Sequence, residues 1–521
     1  MKSQSKIQFV RLALRFLRIL LQAALLICPL QLFAERINQE GRILGPLAVV
    51  TNSIVFNTAN ADAVISTMQV FPITHAWNED ISRRPLLSNS DAMVSQVIAD
   101  LTTSPKSLRA FQEMNFVLVP DNQPLVPITF DLPPEFYPED SDPGPYPIPS
   151  NMPIEMWPTG TGSLTLQQWQ QDTTNLGGDR HAIVVQPGTG LLWEMWRAKL
   201  TNSTWHGGSG AKWDMKTNSL RPLDATSADA AGLPMFGGLV RFDECQRGMV
   251  EHACRLVVGK TRAQFIYPAT HRTGTDTNPN RPAMGQRFRL KSSFVISNSY
   301  TLQEKAILNG LKKYGALVSD NGSFFSISIV PDNRWPAGAF SHVSTFSITN
   351  FEVIQTTGET EGPRSPGAPA AFAGADQFVA LGQPASLQGV VIATNAPTTN
   401  QWKLYSGPGA VVFGNASQTN TTATFTAPGL YTLLLSADDS IHAVAFDAVV
   451  ITVTQAISVA ISRAATNVSL SWTGGAPPYV IEKAGVLSSN SWSTLLTTNG
   501  QTATLPMAAT NNFFRVRGQP F

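Results

Sequence analysis

The apolar residues of this chain fall in short runs rich in β-branched and aromatic side chains, separated by Gly, Asn and Asp, and this punctuation constrains the fold most. Residues 182–185, 191–198, 238–242, 253–258, 263–267 and 288–296 each read as a strand. Asp320-Asn321-Gly322 then turns the chain into another, 324–330. The spacing predicts a mainly β fold whose core is a sandwich or jelly roll. Two helices interrupt it. In 89–101, Met93, Val94, Val97, Ile98 and Leu101 recur at helical spacing behind a cap at Ser90 or Asp91. In 302–314, Ala306, Ile307, Leu311 and Tyr314 share one side.

At 521 residues the chain exceeds the roughly 250 to 300 at which one core stops growing, so several domains are expected. Lys plus Arg number 37 and Asp plus Glu 36. That balance provides no field for nucleic acid or an anionic membrane surface. Lys2, Lys6, Arg11, Arg15 and Arg18 precede an apolar run that ends at Leu32-Phe33-Ala34, the pattern of an export signal over 1–34. Left uncleaved, it would be the one membrane attachment, and the expected location is secreted, cell-surface or periplasmic. Cys28 would leave with the signal. Cys245 and Cys254 would then meet an oxidising compartment, where a disulfide is expected, although two buried free thiols give the same pattern.

The core is expected over 35–355. Within it, residues 120–158 are Pro-rich and acidic and read as an extended arm or surface loop without strands. Residues 356–373 have a linker's composition. Beyond it, Trp402, Gly407-Pro408-Gly409, Ala423-Thr424-Phe425, Pro428-Gly429-Leu430-Tyr431 and Val449-Val450-Ile451-Thr452-Val453 resemble the PKD or Ig-like modules appended to secreted bacterial proteins, over 374–455. That resemblance implies a sandwich which, lacking a Cys pair, packs around Trp402. Residues 456–521, with Val468-Ser469-Leu470-Ser471-Trp472 and Tyr479-Val480-Ile481-Glu482, resemble a small fibronectin III-like module. Both modules imply extracellular display.

No Walker A loop, H-E-x-x-H, G-x-S-x-G elbow or C-x-x-C pair occurs. Ionisable residues instead crowd between Asp179 and Asp332. A glycoside hydrolase needs one carboxyl to protonate the leaving oxygen and a second to activate water or attack carbon, with aromatic platforms for the sugar. Glu194, Asp243 or Glu244, with Trp193, Trp196, Trp205 and Trp213, could supply that set. A lyase acting on uronates needs a cation and a base, and Arg241, His252, Tyr267 and His271 form such a list. The plainer reading is structural: Trp193 and Trp196 in the core, Glu194 facing solvent, Asp243 bridged to Arg241. If 238–242 is a strand, Arg241 and Asp243 share one face and Glu244 takes the other.

No EF-hand is present, because Arg281 and Arg287 occupy the glycine and glutamate positions of the loop that begins at Asp276. A looser Ca2+ loop at Asp276-Thr277-Asn278-Pro279-Asn280 is the remaining cofactor reading. Ser227-Ala228-Asp229-Ala230-Ala231-Gly232-Leu233-Pro234, Gly237-Gly238-Leu239-Val240-Arg241-Phe242-Asp243-Glu244 and Tyr267-Pro268-Ala269-Thr270-His271 resemble a motif set of secreted bacterial proteins of undefined activity. It supplies no roles to carry over. The expectations are therefore a carbohydrate-active protein meeting a polysaccharide or cell-surface glycan, or a non-enzymatic adhesin. The two differ in whether ionisable groups converge in one concave pocket.

Overall fold

Two mixed sheets form the framework of the core. The first joins Ile54–Val55, Val117–Leu118, Ala182–Gln186, Leu191–Trp196 and Ser209–Asp214 in that spatial order. The second joins Phe351–Val353, Arg287–Leu290, Ala316–Asn321, Cys254–Val258, Phe325–Ile329 and Leu108–Gln112. This computed structural model describes residues 35–132, 136–171, 178–464, 466–487, 491–506 and 512–519. The export segment 1–34, with Cys28, lies outside the described residues, as do Pro133, Pro134 and Glu135 of the Pro-rich stretch. Among the described residues no helix is long and apolar enough to cross a membrane.

The first sheet is buried on both faces, so its strands lack the polar alternation of a half-exposed sheet. Leu118, Ile183, Val185, Leu192, Ala211 and Trp213 point into the main core against the second sheet. Val117, Val184, Trp193 and Met195 point the other way and meet Tyr146, Ile148, Met152, Ile154 and Trp169. Each large apolar side chain so buried contributes about 1.5 to 3 kcal/mol. The cover on that second face comes from the Pro-rich stretch. The extended-arm expectation is thus corrected: within 120–158, Tyr146, Ile148, Met152 and Ile154 are buried against the sheet, and Ile128–Phe130 pairs in parallel with Thr204–Gly207. Its prolines leave the backbone irregular while its aromatic and branched side chains still bury.

The helix at 89–101 is observed as Ser90–Asp100 and the one at 302–314 as Leu302–Lys313. The second carries a complete capping box, Thr301 with Glu304. The strand expected at 238–242 is absent. Phe236–Gly238 is a 3-10 turn and Phe242–Arg247 an α-helix, while Val240 keeps a single bridge to Ile329. Glycine explains both ends of this departure. A Cβ at Gly238 would stand 2.8 Å from the Arg255 backbone nitrogen and from Trp77, and Gly248, at φ 82°, closes the helix in the left-handed region. Residues 263–267 form no strand either, only a bridge from Phe265 to Met284. Pro268, immediately after, removes a ladder donor. The 288–296 run ends its pairing at Leu290.

In the C-terminal half, Gln377–Ala380, Ala445–Thr454, Gly429–Asp438 and Thr399–Ser406 make one sheet and Ala385–Gln388, Asn420–Phe425 and Val411–Phe413 another. Trp402, 1% exposed, lies in the core between them with Tyr431, Leu433 and Ile451. Its indole nitrogen donates to the Thr419 carbonyl at 3.0 Å. This is the Ig-like β-sandwich expected of the region. Two further three-stranded sheets follow, with Trp472 edge-on to Tyr479 in their shared core.

The 356–373 stretch, a free linker by composition, is pinned. Arg364 donates to Glu79 and to the Thr74 carbonyl and lies over the Tyr267 ring, and Ser365 contacts His442. The sandwich also meets the core directly, through Arg83 with Asp438 at 2.9 Å.

Candidate functional site

The Asp243-Glu244 pair sits in the first turn of the Phe242–Arg247 helix. Helical spacing, not strand alternation, therefore decides its partners. Arg241 donates to Glu244, which also meets His252 Nε2 at 3.1 Å. Asp243 takes Arg247 at 2.7 Å and also pairs, at the longer distance of 3.9 Å, with Arg241, the bridge expected from the sequence. Glu251 accepts from Arg42 at 2.8 Å and completes the cluster. Burial alone would raise the Glu244 carboxyl, but Arg241 and His252 outweigh it and hold it down at about 2. The cavity beside these groups is only about 30 Å³. It has room for about one or two waters and none for a sugar ring.

Glu194 is fully buried, which corrects the solvent-facing expectation. Strand alternation turns it away from Trp193 and Met195 and into the main core. There it accepts from Trp213 Nε1 at 3.2 Å and from the backbone nitrogens of Met235 and Phe236 at 3.0 and 2.8 Å. Burial pushes its pKa up to about 7 against those donors. It anchors the turn at Phe236–Gly238, and no second carboxylate of the expected pair shares its surroundings. Trp193, Trp205 and Trp213 are likewise buried. The lyase set separates too: Arg241 and His252 belong to the helix cluster, Tyr267 lies under Arg364, and His271 stands elsewhere.

The cysteine expectation is corrected as well. Cys245 in the helix and Cys254 at the head of its strand are both free and enclosed in the main core. Their separation is set by how helix packs on sheet and not by the turn between them. Burial raises both thiols above the ordinary cysteine value. In the Ca2+ loop, Asp276 is ion-paired with Arg281 and caps the Asn278 nitrogen at 2.7 Å, so its oxygens are already engaged. Among the described residues no group of three or more His, Cys, Asp or Glu side chains is arranged to hold a metal ion.

Ionisable groups converge at a different place, where ends of both sheets meet the Thr226–Ala230 loop. A cleft of about 200 Å³ is lined there by Asp179, His181, Asp229, His271 and Asp320, with Tyr137 and Trp196 on its wall. His181, just before its strand, has Nδ1 at 2.9 Å from Glu155 Oε2 and Nε2 at 3.1 Å from the Ala228 carbonyl. With acceptors at both nitrogens the ring is an imidazolium. Burial disfavours that charge, but Glu155 outweighs burial and lifts the pKa to about 9.

Asp229 Oδ1 accepts from Arg255 Nε at 2.7 Å, and Arg255 Nη2 donates to Asp320 at 2.8 Å. Asp229 Oδ2 is buried and has no hydrogen-bond partner among the described residues. Burial raises the Asp229 pKa to about 6 despite Arg255. Behind it, burial and then Glu155 lift Glu113 to about 7. The loop itself is held rigidly: Ser209 Oγ donates to the Ser227 carbonyl, Ser227 Oγ to the Leu233 carbonyl, and Thr270 Oγ1 to the Ala225 carbonyl.

Of the predicted catalytic residues, the cleft includes His271 alone. Asp179, His181 and Asp229 lie within the span crowded with ionisable residues, Asp229 also within the resemblance motif, with no role assigned to them from the sequence, whereas Trp196 stands among the expected aromatic platforms. Asp320, expected in a turn, belongs instead to the strand Ala316–Asn321. The available signal for Asp229 was a carboxylate placed among Ser, Ala and Gly in a low-charge loop; Glu155, inside the Pro-rich stretch, gave none.

Residues 373–453 match a family described as a PKD domain. No curated protein matches the chain. Among solved structures, the chain is similar to the PKD domain from KIAA 1837 protein at 22% identity, with 19% of this chain and 93% of that one covered and a TM-score of 0.15. It is also similar to the PKD domain of human KIAA0319, at 20% identity, 20% and 94% coverage and a TM-score of 0.16. Sidekick-1 immunoglobulin domains 1–4 are similar at 9% identity over 39% of this chain and 53% of that one, with a TM-score of 0.19. The family match over 373–453 identifies the module as PKD-like.

Proposed function

We propose that the protein is exported and acts on glycans, hydrolysing a glycosidic bond in the cleft between Asp229 and Trp196, with the PKD-like module and the strands after it serving as extracellular accessory parts. The observation that carries this reading is convergence: five ionisable side chains and two aromatic rings line one open space of about 200 Å³. Asp229, held partly protonated near neutral pH by burial, has the character of a proton donor to the leaving oxygen. Water then adds to the sugar carbon and gives its proton to a second carboxylate, Asp179 or Asp320. Trp196 and Tyr137, whose ring centroids are 6.1 Å apart, offer a stacking wall for the sugar face.

The test is a screen of the purified full chain against neutral, amino and uronate polysaccharides, reading reducing ends and unsaturated products. Reducing ends without unsaturation, lost by about a hundredfold or more in Asp229→Asn, support the hydrolase. Unsaturated products would move the chemistry to a lyase. Binding without turnover would favour the adhesin.

A further inference from the structure

We infer that the glycan taken by the Asp229 cleft carries free amino groups. This rests on the glycan-acting reading above and narrows it to a substrate class. Three of the five ionisable side chains that line the cleft are aspartates, and the other two are histidines. Among the described residues, neither Lys nor Arg lines it. Arg255 lies behind the wall and already serves Asp229 and Asp320, and Arg197 at the rim stacks on Trp196, 5.3 Å from the ring.

The hydrogen-bond inventory points the same way. His181 gives both ring nitrogens to Glu155 and the Ala228 carbonyl, and His271 Nδ1 contacts the Ala230 carbonyl at 2.8 Å. Donors of the wall are therefore largely committed, while the Asp229 side chain, 1% exposed, keeps an unpartnered Oδ2, an acceptor when the carboxyl is ionised and the atom that carries the proton when it is not. A buried acceptor without a partner is destabilised unless a ligand supplies the donor. An ammonium brings three N–H donors and a positive charge to a wall whose three aspartates outnumber its one imidazolium, His181, whereas a uronate brings acceptors and negative charge. An N-acetylated sugar brings one neutral donor and more bulk.

Calorimetric titration of the full chain with the hexamers of glucosamine, N-acetylglucosamine and galacturonic acid, at low salt and near-neutral pH, tests this. The expected result is binding of the glucosamine hexamer about tenfold or more tighter than the N-acetylated one, and none of the galacturonate. Asp229→Asn, and separately the more exposed Asp320→Asn, should bring the preference for glucosamine over N-acetylglucosamine below about threefold, with the melting temperature of Asp320→Asn unchanged. Equal affinities, or tighter binding of the neutral or acidic hexamer, would overturn the amino-sugar assignment and leave the glycan reading standing. A preference that survives both substitutions would overturn the assignment to this cleft. Binding of none of the three, together with silence in the polysaccharide screen, would remove the glycan reading and this inference with it.

Discussion

Around Arg241 and around Arg255 the core buries much the same inventory: an arginine shared between acidic side chains and a histidine paired with a glutamate. The surroundings differ. At Arg241 the carboxylates of Asp243 and Glu244 are matched by Arg247, Arg241 and His252 beside a space of about 30 Å³, although Arg241 Nε has no hydrogen-bond partner among the described residues. At Arg255 they back a cleft of about 200 Å³, and one oxygen of Asp229 is left over. Ionisable density alone therefore marks no site. A network beside a space too small for a ligand holds a helix against its neighbours, whereas one that borders a cleft of larger volume is placed to meet a ligand.

The strongest way to break the comparison is a matched pair of substitutions. Glu244→Ala strands Arg241 and His252 in the core and should lower stability by about 3 to 5 kcal/mol, with glycan binding by the remaining folded protein unchanged. Asp229→Asn keeps a partner for Arg255 and should affect binding and turnover far more than the denaturant midpoint. If both variants lost stability alone, the cleft would be a second structural network and nothing more.

Titration of stability separates the clusters with a smaller effect. Glu244 is held at about 2 in the folded protein, below its unfolded value, so its contribution is complete above about pH 4.5 and is lost as pH falls toward 2. His181 is raised to about 9, so its contribution is complete below about pH 6.5 and is lost as pH rises through 9. Glu244→Gln should flatten the acid limb of a melting-temperature profile and His181→Gln the alkaline limb. An alkaline limb unchanged in His181→Gln would show that the imidazolium–Glu155 pair contributes nothing to stability.

The smallest expected effect concerns the thiols beside the Arg241 network. Because Cys245 and Cys254 are free and buried, a reducing agent should leave the melting temperature unchanged. A disulfide at this place would instead register a change worth about 2 to 4 kcal/mol.

The helices at Ser90–Asp100 and Leu302–Lys313 were legible because their apolar spacing acts locally, although the cap expected at Ser90 or Asp91 is not formed: Asn89 occupies that position and makes no side-chain capping bond. The strands Ala182–Gln186, Leu191–Trp196 and Cys254–Val258 were legible for the same reason. Gly237-Gly238-Leu239-Val240 misled because its β-rich composition was overridden by close packing against Trp77, which only glycine permits. The Pro-rich stretch misled in the opposite sense. Prolines do forbid ladders, yet Tyr146, Ile148, Met152 and Ile154 are buried all the same, since irregular backbone can still present apolar side chains to a sheet.

From its own order of residues the chain determined a mainly β architecture, its two longer helices and the sandwich around Trp402, because periodicity and turn residues act over a few positions. Which carboxylates meet, which lie closed in pairs and which border open space was decided only in three dimensions. Asp229, Arg255 and Asp320 are 26 and 65 positions apart in successive pairs, and Glu155 reaches His181 from inside a segment with no strand signal. Such encounters depend on the registers of both sheets and on the burial that shifts each group's charge, and no local pattern encodes either.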